Sequence, residues 1–210
     1  MNAGGIFDPV SVGNSNGLER KSPYCNDYDC PSFTLICKVK EFEVRRYESS
    51  TWAYSEAEAL SKITAITTAF NKNYRYISGN NEENLTIPMS LPVLVRERLP
   101  YNNWFAKKSY RVLLYLPKHA PTPSNHEVKI AKLESKTFYV YYYVGSLWSW
   151  YYNHNNFEVL NAFLQENGID QPSEYYVAGY DNQSKLLNRP NEIWVEAPKS
   201  HEISKICSQD

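Results

Sequence analysis

Twice along the chain, two extended segments lead into an amphipathic helix that ends at a glycine, and two more extended segments follow. This doubled order constrains the fold more than any single motif. In the first unit Phe42, Val44 and Arg46 alternate with Glu43, Arg45 and Tyr47, and after a turn near Ser49 the pattern continues through Trp52 and Tyr54. Arg46 is the odd member of the apolar face: either the strand ends there or the guanidinium points at something negative. Ile63, Ile66, Phe70, Tyr74 and Ile77, spaced by three or four, form one stripe of a helix that stops at Gly79. Pro88 and Pro92 forbid a regular central strand through Ile87 to Arg98, while Tyr110 to Leu116 reads as a buried strand and Pro117 to Asn125 as an exposed loop. In the second unit Val128 and Ile130 alternate with charged or small residues. Phe138, Val140, Tyr142 and Val144 then share one strand face, with Tyr139, Tyr141 and Tyr143 on the other. A helix stripe runs through Leu147, Trp150, Tyr151, His154, Phe157, Leu160, Phe163 and Leu164 to Gly168. Strands Tyr175 to Tyr180 and Glu192 to Glu196 bracket the loop from Asp181 to Pro190. The expected class is α+β: two pseudo-symmetric ββαββ-type repeats whose antiparallel sheet can close into a β-barrel, flanked by two α-helices.

Charge narrows the partners. With 22 Lys+Arg against 23 Asp+Glu and a pI near 6.4, nothing draws the chain to nucleic acid or an anionic membrane. The mean hydropathy is −0.56 and the longest apolar and aromatic stretch, Phe138 to Val144, is too short for a membrane-spanning helix, so no membrane insertion is expected. Aromatic residues make up 15% of the chain, which suits a β-rich domain or an aromatic-lined pocket. The polar ends divide the chain into a mobile N-terminal arm over 1–37 carrying Cys25 and Cys30, one domain over 38–197, and a polar tail over 198–210. Met1 to Arg20 has no basic stretch followed by an apolar one, so the chain as it stands defaults to the cytoplasm. The alternative is a secreted protein whose leader is missing. Cys25 and Cys30 flank a short polar loop and would form a disulfide only in an oxidising compartment, and Asn84-Leu85-Thr86 and Asn182-Gln183-Ser184 are glycosylation sequons.

No catalytic constellation emerges, and the chain is read as a non-enzyme: it has neither a Gly-x-Ser-x-Gly elbow nor a phosphate-binding glycine motif. Cys25, Cys30 and Cys37 offer three ligands at spacings unlike the short pairs of zinc sites, so no metal is expected. His119 and His126 fall in the Pro-rich loop and His201 in the tail. His154, on the helix stripe, reads as a packed histidine bonded to a neighbour. The row Tyr139, Tyr141, Tyr143 reads as cross-strand packing, or else as a platform for a flat aromatic ligand.

Three segments carry a family resemblance. Gly79-Asn80-Asn81 with Ile87-Pro88-Met89-Ser90-Leu91-Pro92-Val93, then Ala178-Gly179-Tyr180 with Lys185 through Trp194, and Phe42 through Tyr47 resemble, in order and spacing, the signatures of the SOUL family of heme-binding proteins. The resemblance implies a distorted antiparallel barrel and the binding of heme or another porphyrin. Some members carry a histidine, proposed as an axial ligand, where this chain has Arg46, and arginine is not expected to ligate iron. The resemblance therefore implies a tetrapyrrole held by the helix face through Phe70 and Tyr74, where Thr67 replaces a basic residue, with Lys185 meeting a propionate. A second family activity, protein interaction through a short helix likened to a death-regulator recognition motif, maps to Leu160 through Gly168. Gln165 and Asn167 stand at its charged positions, and this stretch makes the second helix a possible surface for a protein partner.

Overall fold

The structure is a computed structural model and describes residues 19–99, 108–117, 120–146, 153–180, 187–197 and 199–209. After β1 (Glu19–Arg20) and a single 3₁₀ turn (Pro23–Cys25) come β2 (Phe33–Val39), β3 (Phe42–Tyr47), β4 (Ser50–Ala59), α1 (Lys62–Ile77), β5 (Val93–Arg98) and β6 (Lys108–Leu116). The second half runs β7 (Lys129–Leu133), β8 (Lys136–Gly145), α2 (His154–Glu166), β9 (Glu174–Gly179), β10 (Arg189–Glu196) and α3 (Ser200–Cys207). The repeats expected from the pattern are β3-β4-α1-β5-β6 and β7-β8-α2-β9-β10.

All ten strands form one sheet in the order β1-β2-β3-β8-β10-β9-β5-β6-β4-β7, and every pairing between them is antiparallel. The two repeats meet at the β5–β9 pair and exchange their leading strands: β3 pairs with β8 of the second repeat, and β7 with β4 of the first. This exchange dictates the curvature. In a flat sheet β3 and β4, six places apart, would be separated by ~29 Å. Residues 48–49 join them, and so short a link reaches at most ~11 Å. The β7–β8 link, residues 134–135, imposes the same limit over the same six places. The sheet must curl until these links can bridge it, which brings it close to a barrel. It stays open, with β1 and β7 as its edges.

Both faces are buried. On one, α1, α2 and α3 pack over Phe42, Val44, Val95, Val112, Val177 and Ile193; on the other, Phe33, Tyr47, Trp52, Leu94, Phe138 and Trp194 form a second, ring-rich cluster without helices. Strands such as β8 therefore read as unbroken apolar runs.

The ends differ from the sequence reading. From Glu19 on, the segment read as an arm contributes β1, the 3₁₀ turn and β2; Cys25 and Cys30 are buried in the ring-rich cluster and joined by a disulfide. The segment read as a tail forms α3, tied to β2 by a Cys37–Cys207 disulfide. Neither element has a long apolar run. A bridge, the buried side chain of Ile206 and hydrogen bonds from Lys205 and Gln209 to Asn167 hold α3 in place, and local periodicity reports none of them.

Candidate functional site

Helix α1 begins at Ser61, whose Oγ accepts from the Thr64 amide, and ends where Gly79 takes φ +108°. Asn81, two residues on, is buried. Its Nδ2 donates to the Tyr76 and Leu85 carbonyls at 3.0 and 2.8 Å, and its Oδ1 accepts from the Leu85 amide. The Gly-x-Asn element thus closes the helix and fixes the turn beyond it.

The core face of α1 is rotated from the apolar stripe. Ala65, Ile66, Ala69, Asn73, Tyr76 and Ile77 are buried against β4 and β6. The small alanines permit the close approach seen in the 2.6 Å bond from Ser55 Oγ to the Ala69 carbonyl, and Asn73 Nδ2 donates to the Val112 carbonyl at 2.8 Å. Phe70 and Tyr74 are left on the flank. Phe70 is half-buried, Tyr74 is 52% exposed, and their rings lie 6.0 Å apart at 21°. Thr67, also exposed, stands one turn before them.

The other nominated residues are not gathered there. Lys185 lies outside the described residues. Arg46 is exposed on β3 between Thr34 and Thr137, whereas α1 packs on β4 and β6. Arg46 shares the helix-side face with Phe42 and Val44, but β3 ends one residue later. The arginine that meets negative charge is its neighbour. Arg45 is 4% exposed; its Nη1 donates to Glu192 Oε1 at 2.9 Å and to the Tyr47 hydroxyl at 3.2 Å, and its Nε donates to Glu43 at 2.7 Å. Glu192, fully buried, also accepts from the Tyr180 hydroxyl and from Trp194 Nε1, both at 2.7 Å. Such a pair is tolerable only because every carboxylate oxygen is bonded. The first-strand and C-terminal signatures are therefore two halves of one buried network, a link visible in the sequence only as an acid and a base in strands that fold together.

A second buried carboxylate joins the helix starts. Glu97 accepts from Asn153 Nδ2 at 2.7 Å and from the Tyr175 hydroxyl at 3.1 Å, and it pairs with Lys62 at the start of α1. Burial holds the Lys62 ammonium below its usual value, with Glu97 pulling the other way. Asn153, buried at the N-cap of α2, places Oδ1 2.8 Å from the same Tyr175 hydroxyl, whose single proton is shared between the two acceptors. His154, the first residue of α2, corrects the packed-histidine reading: its side chain is 62% exposed, with Nδ1 3.7 Å from Glu158. The part of that stripe from Leu147 to Tyr151 lies outside the described residues.

The Tyr139, Tyr141, Tyr143 row packs on the helix side, with Tyr139 and Tyr143 buried, so it is no ligand platform. Leu160 and Leu164, the leucines of the recognition-like stretch, are fully buried in the same cluster. Among the described residues no group of three or more His, Cys, Asp or Glu could hold a metal ion, and no helix is long and apolar enough to cross a membrane.

Sequence reasoning also missed a cleft on the helix-free face. It is shallow and open to solvent, and it is lined by residues of seven strands from β3 to β10, which marks this face as the concave one.

Comparison with known proteins agrees with the architecture and the signatures. The C-terminal domain of EcmrR, a crystal structure, superposes with a TM-score of 0.55 at 10% identity, covering 75% of this chain and 97% of that one, which is a likeness of fold alone. Human heme-binding protein 2 is 31% identical over 159 residues, 73% of this chain and 77% of its own. Mouse heme-binding protein 1 is 26% identical over 186 residues, 85% of this chain and 97% of its own. The profile described as SOUL heme-binding protein matches residues 28–196, and the chain therefore belongs to the SOUL family.

Proposed function

We propose that this protein is a non-enzymatic binder of heme or another tetrapyrrole, that the ring lies on the outer flank of α1, and that no histidine ligates its metal. The observation that carries the reading is the Phe70–Tyr74 pair: two near-parallel rings that the core leaves in contact with solvent. The relatives named for heme binding support the ligand class. The residue at the position of the family histidine supports the absence of ligation, because Arg46 stands there. Phe70 and Tyr74 would hold the macrocycle by apolar contact, Lys185 would meet a propionate, and the iron of heme would add redox chemistry that none of these side chains directs.

Hemin and metal-free protoporphyrin titrated into the full chain should bind within about tenfold of each other, ~1.4 kcal/mol. Tyr74→Ala should weaken both by about two- to tenfold, the range for loss of one ring contact. His154→Ala should leave the iron spectrum of the complex unchanged. A low-spin bis-nitrogen spectrum that disappears in that variant, or binding indifferent to Tyr74→Ala, would overturn the reading.

We infer further that the chain works in an oxidising compartment. All four cysteines are paired, and the Asn84 sequon is exposed. Peptide mapping of protein from its native source, alkylated before denaturation and left unreduced, should recover Cys25–Cys30 and Cys37–Cys207 as cross-linked peptides. Four alkylated thiols would reject the inference.

A further inference from the structure

We propose, resting on the oxidising compartment inferred above, that Asn84 is a modification site and carries an asparagine-linked oligosaccharide on the turn between α1 and β5. The linkage consumes Nδ2, so it needs an asparagine whose amide the fold does not use. The buried asparagines all spend theirs: Nδ2 of Asn73, Asn81, Asn153, Asn161, Asn167 and Asn191 each donates to a carbonyl or a carboxylate. Asn84 is exposed, and among the described residues its side chain makes no hydrogen bond. Its backbone, by contrast, is fixed. The Asn84 amide donates to the Asn81 carbonyl at 3.0 Å, closing a turn in which Asn84 takes φ +51°. The Asn81 side chain then holds both the amide and the carbonyl of Leu85. A sugar on Nδ2 is therefore rooted on a rigid turn and projects into solvent, and the folded chain can carry it without rearrangement.

The turn accounts for the asparagine but not for the rest of the sequon. A left-handed backbone favours Gly, Asn or Asp and makes no demand for a hydroxyl two residues on. Thr86 pairs with Ser78 through its backbone, and its exposed side chain has no hydrogen bond among the described residues. Leu85, between them, is 45% exposed. A hydroxyl with no role in the fold, placed two residues after an uncommitted amide, matches the acceptor that N-glycosylation requires. The co-substrate is an oligosaccharide carried on a lipid pyrophosphate. In the transfer Nδ2 gives up one proton and bonds to the anomeric carbon of the sugar; the bond from that carbon to the pyrophosphate oxygen breaks, and the lipid pyrophosphate leaves with the electron pair. Asn182, in the other sequon, lies outside the described residues.

The test takes full-length protein from its native source, alkylated before denaturation and left unreduced, and treats its peptides with peptide-N-glycosidases F and A in heavy-oxygen water, which labels each position from which a glycan is removed. Most copies of the peptide spanning position 84 should carry the label, and none without the enzymes. Expressed behind a secretion leader in a eukaryotic host, Asn84→Asp, which tolerates the same left-handed backbone, and Thr86→Ala, which leaves Asn84 in place, should each lose the same one-glycan step in gel mobility while circular dichroism stays native. Unmodified Asn84 in protein whose Cys25–Cys30 and Cys37–Cys207 bridges are intact would overturn the site and leave the compartment standing. Unmodified Asn84 together with four alkylated thiols would overturn both. A label confined to position 182, or a mobility step that survives Thr86→Ala, would also overturn the proposal.

Discussion

Titration upward from neutral pH should unfold this protein in one cooperative step that begins near pH 10, with a loss of up to ~8 kcal/mol per pH unit. The hydroxyls of Tyr47, Tyr76, Tyr110, Tyr139, Tyr143 and Tyr180 are buried, and burial is the main force raising each above the usual tyrosine value, to about 12 for Tyr76 and higher for the rest. Nearby carboxylates add to the effect, Glu192 at Tyr47 and Tyr180 and Glu97 at Tyr110 and Tyr143. The sign follows from which state holds the protons. Below about pH 10 tyrosine is neutral in both states, and the six rings keep their full contribution to stability. Above it the unfolded chain releases these protons while the folded chain retains them, so each buried tyrosine costs ~1.4 kcal/mol per pH unit. Against a total stability of about 5–15 kcal/mol, two pH units suffice to unfold the chain. Circular dichroism and phenolate absorbance should therefore change together. Phenolate that forms in separate steps while the dichroism stays native would show that these hydroxyls are not held by the core.

What the sequence disclosed follows from which forces are periodic. The repeats were legible because amphipathic helices and buried strands recur at 3.6 and 2 residues. The exchange of β3 and β7 was not, since hydrogen-bond partners leave no mark on a strand's own pattern. Arg45 and Arg46 could not be told apart by alternation because β3 is covered on both faces; what separates them is the end of the helix-side cover and the presence of Glu192. The core face of α1 escaped a count of large apolar residues because it is built from Ala65, Ala69 and Asn73, which let the helix sit close to the sheet, while Phe70 and Tyr74 are left at its edge. The concave cleft draws on seven strands, so no window of sequence contains it. The three family signatures were legible as motifs, yet two of them prove to hold the Arg45–Glu192 network together, and Gly79 with Asn81 closes a helix.

Removing the Cys37–Cys207 bridge should cost ~3–5 kcal/mol, against about 2 kcal/mol for Cys25–Cys30. The bridge closes a loop with a sequence separation of 170, against 5 for the other, and in the chain-entropy account a longer loop takes more freedom from the unfolded chain. The folded side adds to the difference. Helix α3 has eight residues, too few to be helical alone, and its N-cap Lys199 makes no side-chain cap. Apart from the bridge it is held by buried Ile206 and by Lys205 Nζ and Gln209 donating to the carbonyl and side chain of Asn167 at the end of α2. In Cys37→Ser/Cys207→Ser, denaturant midpoints should fall by more than in Cys25→Ser/Cys30→Ser. Hydrogen exchange should accelerate first in α3 and the last turn of α2, while β5 and β9 keep their protection. Equal midpoints for the two double variants, or protection of α3 unchanged by loss of its bridge, would show that the helix is held by its side-chain contacts and that the disulfide merely records their proximity.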